Sequence, residues 1–238
     1  MVRKTYPGEP YRQVVADILN QVKPKTILDA PSGCGWLQSK LNYRAKVDGL
    51  DLFEPKPDGY FLFLKADLSY GLPDDLPTYE SIISCEGIEH IGNPSLFLET
   101  VAKHLVDGGL FIVTTRNSWY PESKLKYLLR GFFCDFPCYV GCMEHEPDLH
   151  IMPWSFPQLY LYLKLNGFDE IQLHEVYERK PKRIFEKILG LPQDIYCRFK
   201  LKNADTEEKE NFWRNAGSSQ SLYGRCLVVS ARFAGGKD

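Results

Sequence analysis

The stretch TILDAPSGCGWL, residues 26–37, constrains the fold of this chain more than any other part of the sequence. Three apolar or β-branched residues lead into Asp29, a turn with Gly33 and Gly35 follows, and Trp36–Leu41 is compatible with a helix. This order is typical of a buried strand that ends in a tight loop and opens a helix. Glycine lets the backbone approach a ligand closely, and helix-opening amides offer donors to a carboxylate or phosphate. We therefore expect a ligand-binding loop after the first strand.

Acidic residues close the next two predicted strands. Lys46–Leu52 is predicted to be a strand that ends in Asp51, 22 residues after Asp29, and Phe61–Leu68 is predicted to be one that ends in Asp67. A carboxylate at position 51 can accept hydrogen bonds from both hydroxyls of a ribose, and Asp67 can accept one from an adenine amine. The alternative for each acid is a solvated loop position. Three carboxylates that close three strands in this order favour a nucleotide-like cofactor.

The glycine loop fits one of two cofactor classes better. Dinucleotide-binding loops carry G-x-G-x-x-G, and Gln38 stands where the third glycine is required. The other spacing, acidic-x-G-x-G-x-G, matches residues 29–35 with Pro31 in place of the first glycine. Together with Asp51 and Asp67, this pattern resembles the class I S-adenosylmethionine-dependent methyltransferases. Residues 82–117 also resemble a signature of the small-molecule enzymes in that superfamily.

The resemblance implies a fold class and a cofactor. The expected fold is α/β, a three-layer α/β/α Rossmann-like methyltransferase fold with a seven-stranded, mostly parallel sheet. The expected cofactor is S-adenosyl-L-methionine. The residues expected to bind it are Asp29, Ala30, Pro31, Gly33, Gly35, Asp51, Leu52, Asp67, Leu68 and Glu86.

Further elements alternate as in βαβ units. The predicted helices are Pro10–Val22, Asn93–Leu105 and Ser155–Asn166; the later strands are Tyr79–Glu86, Leu110–Thr115 (after a turn at Val106–Gly109), Phe168–Val176 and Arg225–Phe233. We expect residues 1–238 to form a single methyltransferase domain with two insertions. The first, at about 118–157, is rich in aromatic residues and is expected to cap the substrate pocket or to form a satellite core.

The second insertion, at about 178–224, lies between the last two strands. Residues 179–202 hold eight basic side chains and two acidic ones, and Ile184, Phe185, Ile188 and Leu189 share one helical face. One interpretation is a lid, a basic face for a phosphorylated or lipid-linked substrate, or a helix that touches anionic lipid. The favoured interpretation is a solvated amphipathic helix that covers one end of the domain.

The segment EGIEH, residues 86–90, follows the fourth strand, where the transferable methyl group is expected. In one interpretation Glu86 closes the cofactor site and His90 or Glu89 acts as a general base. In the other, E-x-x-E-H binds Mg²⁺ or a similar divalent ion. The second is supported by resemblance to ubiquinone-pathway O-methyltransferases and to small-RNA terminal 2′-O-methyltransferases, which add a later histidine. His150 is the candidate for that position, and His145 is a second candidate. The catalytic set is thus Glu89, His90 and His150, and the metal set is Glu86, Glu89, His90 and His150.

The cysteines at 134, 138 and 142, near His145, invite a metal or cluster interpretation. Their spacing matches neither the C-x3-C-x2-C signature of radical enzymes nor the C-x2-C pairs of zinc sites. Pro137 would also interrupt a helix that aligned them. We expect them to be buried structural thiols.

Composition narrows the partners. A net charge of −2 gives no general attraction to nucleic acid or membranes, and seven scattered cysteines suit a reducing cytosol. No signal peptide and no run of 18 apolar residues stands out. We expect a cytoplasmic protein with at most peripheral membrane contact through 179–202.

The expected reaction is O-methylation of a small or lipid-linked molecule, because an oxygen acceptor needs the base or metal that the Glu/His cluster supplies. Residues 150–154 and 222–227 resemble methyltransferases of bacterial surface-glycan biosynthesis. A sugar hydroxyl is therefore the first choice of acceptor, a quinone-type phenol the second and the terminal ribose of an RNA the third. RNA ranks last because contacts to its phosphates need clustered basic residues. A non-catalytic, cofactor-binding regulatory subunit is the alternative, motivated by Pro31 and the basic insertion.

Overall fold

A seven-stranded sheet forms the centre of the computed structural model, which describes residues 10–53, 58–133, 150–177, 181 and 183–235. The strands are β1 Thr26–Asp29, β2 Lys46–Asp51, β3 Phe63–Lys65, β4 Tyr79–Cys85, β5 Leu105–Arg116, β6 Phe168–Leu173 and β7 Cys226–Phe233. Their order is β3-β2-β1-β4-β5-β7-β6. Strands β1 to β5 pair in parallel, and β7 runs antiparallel to both of its neighbours, β5 and β6. The predicted α/β class with a seven-stranded, mostly parallel sheet is confirmed.

Seven α-helices accompany the strands within the described residues. They are α1 Pro10–Val22, α2 Pro94–Lys103, α3 Pro121–Arg130, α4 Phe156–Leu165, α5 Ile184–Lys202, α6 Glu207–Ala216 and α7 Ser219–Tyr223. Side-chain hydrogen bonds cap the N-termini of two of these helices. The Asn93 side chain accepts from the Leu96 amide before α2, and Ser155 forms a capping box with Gln158 before α4. The bounds of α1 agree with the prediction, because apolar spacing marks its buried face.

Alternating side chains of the strands build two cores, one on each face of the sheet. On one face, Ile27 of β1 and Ile83 of β4 pack with Val15 and Leu19 of α1. On the other face, neighbouring strand residues pack against apolar side chains of α2 and α4. Because successive strand residues point to opposite faces, this arrangement buries the central strands on both sides. Because β1 is paired in parallel with both β2 and β4, the carboxyl ends of these three strands meet at one edge of the sheet.

Several predicted bounds are wrong. Trp36–Leu41 is no α-helix but one 3₁₀ turn at Gln38–Lys40, where the Ser39 hydroxyl donates to the Trp36 carbonyl and competes with helical bonding. The third strand ends at Lys65, before Asp67, and the sixth ends at Leu173 rather than Val176.

The predicted turn before the fifth strand is a bulge inside it. Leu105 pairs with Tyr79 and Leu110 pairs with Ser81, so residues 106–109 have no partner on β4. The chain nevertheless remains in strand conformation from Leu105 onward. The turn chemistry of its glycines therefore produces an irregularity in the strand and does not end it.

Helices α5, α6 and α7 make up the described part of the second insertion. Glu186, Gly190 and Cys197 form the buried side of α5. Ile184 and Ile188, from its apolar face, are 80% and 65% exposed. The segment is thus a solvated helix, and its contacts with α3 and α7 are made on the side opposite to Ile184 and Ile188.

The end of the insertion is tied to the exit of β5 through Asn117. The buried Asn117 amide donates to the carbonyls of Ser221 and Gly224, at 2.8 and 2.9 Å. Its side-chain oxygen accepts from the Trp119 amide at 2.9 Å. Because the two bonds from the amide are buried, they hold α7 against the segment that follows β5.

None of the described helices has the length and hydropathy that crossing a membrane requires. Part of the aromatic cap at 118–157, including Cys134, Cys138, Cys142 and His145, lies outside the described residues, so the expectations for those side chains stay predictions.

Candidate functional site

The loop after β1 lies across the ends of two neighbouring strands. The Ala30 amide donates to the Ile83 carbonyl, and the Ser32 amide donates to the Leu50 carbonyl, both at 2.9 Å. Gly33 and Gly35 have φ values of +54° and +72°, which side chains rarely adopt. The conformation of the loop therefore depends on glycine at these two positions, and their contact with a cofactor stays a prediction.

Asp29 is fully buried at the start of this loop. Its Oδ2 accepts a hydrogen bond from the Tyr60 hydroxyl. Burial raises the pKa of Asp29 to about 7, although the bond from Tyr60 opposes the rise. Asp29 Oδ1 and Ser32 Oγ are buried and accept or donate no hydrogen bond among the described residues. The loop thus holds polar atoms that a bound ligand could satisfy.

Asp51 holds the glycine loop from β2. Its Oδ2 accepts from the Gly33 amide at 2.7 Å, and its Oδ1 accepts from the Phe53 amide at 3.0 Å. A carboxylate has about four lone-pair positions, so further donors can still bind. The next predicted cofactor residue, Leu52, is exposed, and its contact with the cofactor stays a prediction.

Asp67 lies after β3, and its Oδ1 accepts from the Ser69 amide at 2.8 Å. It caps a 3₁₀ turn that begins with the buried Leu68. The structure therefore gives Asp67 a local structural role, and its contact with an adenine amine stays a prediction.

Gly87, after β4, packs against Pro31 in the loop after β1. A Cβ at Gly87 would lie 2.3 Å from Pro31 Cδ and 2.6 Å from its Cγ. The ring of Pro31 cannot move away without moving the glycine loop. The two loops therefore fit together only because residue 87 has no side chain.

Gly87→Ala is expected to weaken S-adenosylmethionine binding more than 10-fold and to destabilise the protein by about 2 kcal/mol, because overpacking at this contact displaces the loop. Calorimetric titration and denaturant unfolding measure the two effects. Gly92→Ala is the matched control, since the nearest atom to its Cβ, Ser69 Oγ, is 3.7 Å away. Equal behaviour of the two variants would contradict the prediction.

Glu86, at the end of β4, has a φ of +50° and points toward β5. Its amide donates to both the carbonyl and the hydroxyl of Thr114 at 3.0 Å. Its Oε2 lies 2.9 Å from Nε of Arg116. Arg116 was not among the predicted site residues, because nothing in the spacing of TTRN links it to residue 86.

Glu89, His90 and His150 form a cluster whose potential ligand atoms all lie within 4.8 Å of one another. The two imidazole rings meet edge to face with centroids 4.7 Å apart. The Ile151 and Met152 amides donate to the Glu89 carbonyl at 2.9 and 3.1 Å, which brings His150 to the end of β4. The three residues predicted to be catalytic are therefore neighbours in space. Glu86, the fourth predicted metal ligand, is not part of this group.

The Glu89 side chain is buried, and neither of its carboxylate oxygens makes a hydrogen bond of ordinary geometry to the described residues. Burial raises its pKa to about 8, and the negative charge of Glu86 contributes to the rise. The approach of the Glu89 backbone amide and of the Thr115 hydroxyl and the positive charge of Arg116 offset part of this rise in the pKa. A buried carboxylate without partners is costly unless a cation or proton joins it.

A small cavity of about 50 Å³ lies between the exit of β5 and α3. It is lined by Arg116, Asn117, Tyr120, Glu122, Ser123, Lys126 and Arg225. Three of these side chains are cationic and one is acidic. Lys126, followed by Arg225 and Arg183, lowers the pKa of Glu122 below its usual range. Arg116 is paired with Glu86 and Lys126 with Glu122, so Arg225 carries the net positive charge of this small cavity.

Comparison with known proteins adds family and fold. The family described as a methyltransferase domain matches residues 3–173. A complex between the Haloferax volcanii Trm112 methyltransferase activator and a methyltransferase is similar with a TM-score of 0.54, 14% identity and full coverage of both chains. Human N-acetylserotonin methyltransferase in complex with S-adenosylmethionine is similar with a TM-score of 0.51 and 14% identity, over 95% of this chain and 52% of that chain. An S-adenosylmethionine-dependent methyltransferase from Archaeoglobus fulgidus is similar with a TM-score of 0.51 and 14% identity, over 93% of this chain and 94% of that chain. At these identities the structures support the fold alone.

Proposed function

Since this chain belongs to the methyltransferase-domain family, it is a S-adenosylmethionine-dependent methyltransferase, and we propose that it methylates a hydroxyl group of a small or lipid-linked molecule. The observation that carries the proposal is the cluster of Glu89, His90 and His150 beside the end of β4. A hydroxyl is a poor nucleophile until its proton is removed or its pKa is lowered. The cluster contains the groups that can do either.

The loop after β1 fits the cofactor. It combines glycine conformations, a cradle at Gly87 that a Cβ would fill, and buried polar atoms of Asp29 and Ser32 without partners. We assign Asp51 to the ribose and Asp67 to the adenine amine. When bound, the cofactor supplies a methyl group on a positively charged sulfur, so the protein mainly has to align the acceptor oxygen with it.

The cluster also fits a divalent cation, because Glu89 is a buried carboxylate without hydrogen-bond partners and two imidazoles lie beside it. Glu89, His90 and His150 would hold the ion. Such an ion lowers the pKa of a bound hydroxyl. Glu86 is paired with Arg116. Glu89 is therefore the carboxylate that the cluster offers to an ion.

The residues could also act without a metal. Burial raises the pKa of Glu89, so its carboxylate, once ionised at alkaline pH, is a stronger base than an exposed glutamate and can take a proton from an acceptor. An imidazole of His90 or His150 could do the same. A chelator distinguishes this route from the metal-dependent one.

The cationic cavity beside Glu86 supports a glycan precursor as the acceptor. Phosphorylated and lipid-linked sugars carry anionic groups, and Arg225 gives the cavity a net positive charge, since Arg116 and Lys126 are paired with Glu86 and Glu122. A quinone-type phenol and the terminal ribose of an RNA are the other acceptor classes. The net charge of −2 weighs against RNA.

The decisive experiment is transfer of labelled methyl from S-adenosylmethionine into fractionated cell extract, with and without a chelator. The fractions separate sugar nucleotides and glycolipids, quinone lipids, and small RNA. Label in the first fraction, abolished by chelation, is the expected result. Label in another fraction would overturn the glycan assignment, and label that survives chelation would overturn the metal assignment. Tight cofactor binding without label in any fraction would favour a regulatory subunit.

A further inference from the structure

Helix α5 turns an apolar stripe to solvent. Its members are Ile184, Ile188, Leu191, Ile195 and Phe199, which are 80%, 65%, 50%, 58% and 63% exposed. At 100° per residue these positions fall within an arc of about 80°. The stripe therefore runs along about four turns of one side of the helix. Contiguous exposed apolar surface of this kind marks an interaction site.

The opposite side of α5 fixes the helix to the protein. Gly190 packs so tightly on Tyr223 of α7 that a Cβ would lie 2.3 Å from the ring. Lys124 of α3 donates to the Leu189 carbonyl and to Gln193 Oε1, both at 3.1 Å. Small and polar residues thus make the internal contacts and leave the apolar residues outside. This is the reverse of an ordinary surface helix.

The neighbouring helix α3 enlarges the apolar surface. Leu128 and Leu129 are 77% and 75% exposed. Leu128 follows Lys124, which contacts α5, by one helical turn. Helix α3, which contacts α5, therefore also exposes apolar residues to solvent.

The charged residues beside the stripe are basic. Lys187 and Lys202 lie along the stripe and are exposed. Of the two acidic residues of α5, Glu186 is buried and Asp194 is paired with Arg198 at 2.8 Å. Two copies packed stripe to stripe would bring these lysines together, which disfavours self-association through α5.

We propose that α5 is a membrane-surface helix, which inserts its apolar stripe into the interface of a bilayer that contains anionic lipid. Apolar area supplies part of the binding free energy, and the lysines along the stripe are attracted to anionic headgroups. The proposal is independent of the proposed acceptor, because it rests only on the surface of α3 and α5.

The test is flotation of the full-length protein with vesicles of phosphatidylcholine alone or mixed with phosphatidylglycerol. The protein is expected to bind the mixed vesicles and to bind the neutral ones at least 10-fold more weakly. The double variant Leu191→Gln/Ile195→Gln is expected to lose binding by at least 10-fold. Leu161→Gln/Leu165→Gln on α4 is the matched control, since its residues are 54% and 73% exposed and also one turn apart.

Folding and self-association are checked on the same samples. Thermal unfolding and S-adenosylmethionine affinity of the α5 variant should equal those of the wild type, which separates loss of the surface from loss of the fold. Wild-type protein that does not float with anionic vesicles, or a variant that floats equally well, would overturn the proposal. A dimer in solution that the α5 variant alone dissociates, without vesicle binding, would assign the stripe to a second copy instead.

Discussion

Replacing Glu89 with glutamine is expected to lower kcat for methyl transfer by about 10³-fold, within the range for removal of a general base or a metal ligand. The side chain keeps its size but can neither hold a cation electrostatically nor take a proton. The affinity for S-adenosylmethionine should change less than threefold, because the proposed cofactor contacts lie on Asp51 and the glycine loop. Transfer of labelled methyl to the identified acceptor and calorimetric titration measure the two quantities.

Glu80→Gln is the control for this variant. Glu80 lies at the other end of β4, where its carboxylate accepts from the Lys25 amide at 2.7 Å. Its kcat is expected to stay within twofold of the wild type. If Glu89→Gln retained more than a tenth of the wild-type kcat, the cluster of Glu89, His90 and His150 would not be the catalytic centre.

The stability of the cofactor-free protein is expected to fall between pH 4 and pH 8 because of Asp29. Its pKa rises from 3.8 to about 7 on folding, so the folded state keeps a proton that the unfolded state loses in this window. The stabilisation is complete below pH 3.8 and is lost as the pH passes 7. The difference corresponds to about 4 kcal/mol. Denaturant unfolding at intervals across this range measures it.

Asp29→Asn isolates this contribution. Asparagine keeps an oxygen that can accept from Tyr60 but has no titrating group, so the variant should gain up to about 4 kcal/mol on the wild type as the pH rises from 4 to 8. Tyr60→Phe removes the bond that opposes the rise in pKa, so its fall in stability should extend to higher pH. Parallel pH profiles for the wild type and Asp29→Asn would refute the assignment.

Much of the sheet could be predicted from the sequence, because buried strands leave continuous apolar runs and their ends carry recognisable loops. Asp29 and Asp51 were placed correctly at strand ends for this reason. The neighbourhood of Glu89, His90 and His150 was also anticipated, but only through resemblance to proteins with the same motif. The family match confirms the cofactor class; the acceptor and the metal stay proposals.

Other features of the site depend on tertiary contacts that have no local signature. The bond from Tyr60 to Asp29 joins a loop residue to a strand end 31 residues away. The pairing of Arg116 with Glu86 depends on how β4 and β5 align. The orientation of α5 could not be predicted, because amphipathic periodicity shows that a helix has two different sides, but not which of them faces the protein.

The hydrogen bonds of Asn117 have a mechanical consequence. Its amide joins the carbonyls of Ser221 and Gly224 to the residue that follows Arg116. Sliding α7 past the sheet would break both bonds, each with a net value of about 1 kcal/mol. Helix α7, at the end of the insertion that contains α5, therefore moves together with the residues that follow β5 and line the cavity. A bilayer that held α5 would thereby set the tilt of the pocket mouth and its height above the lipid headgroups.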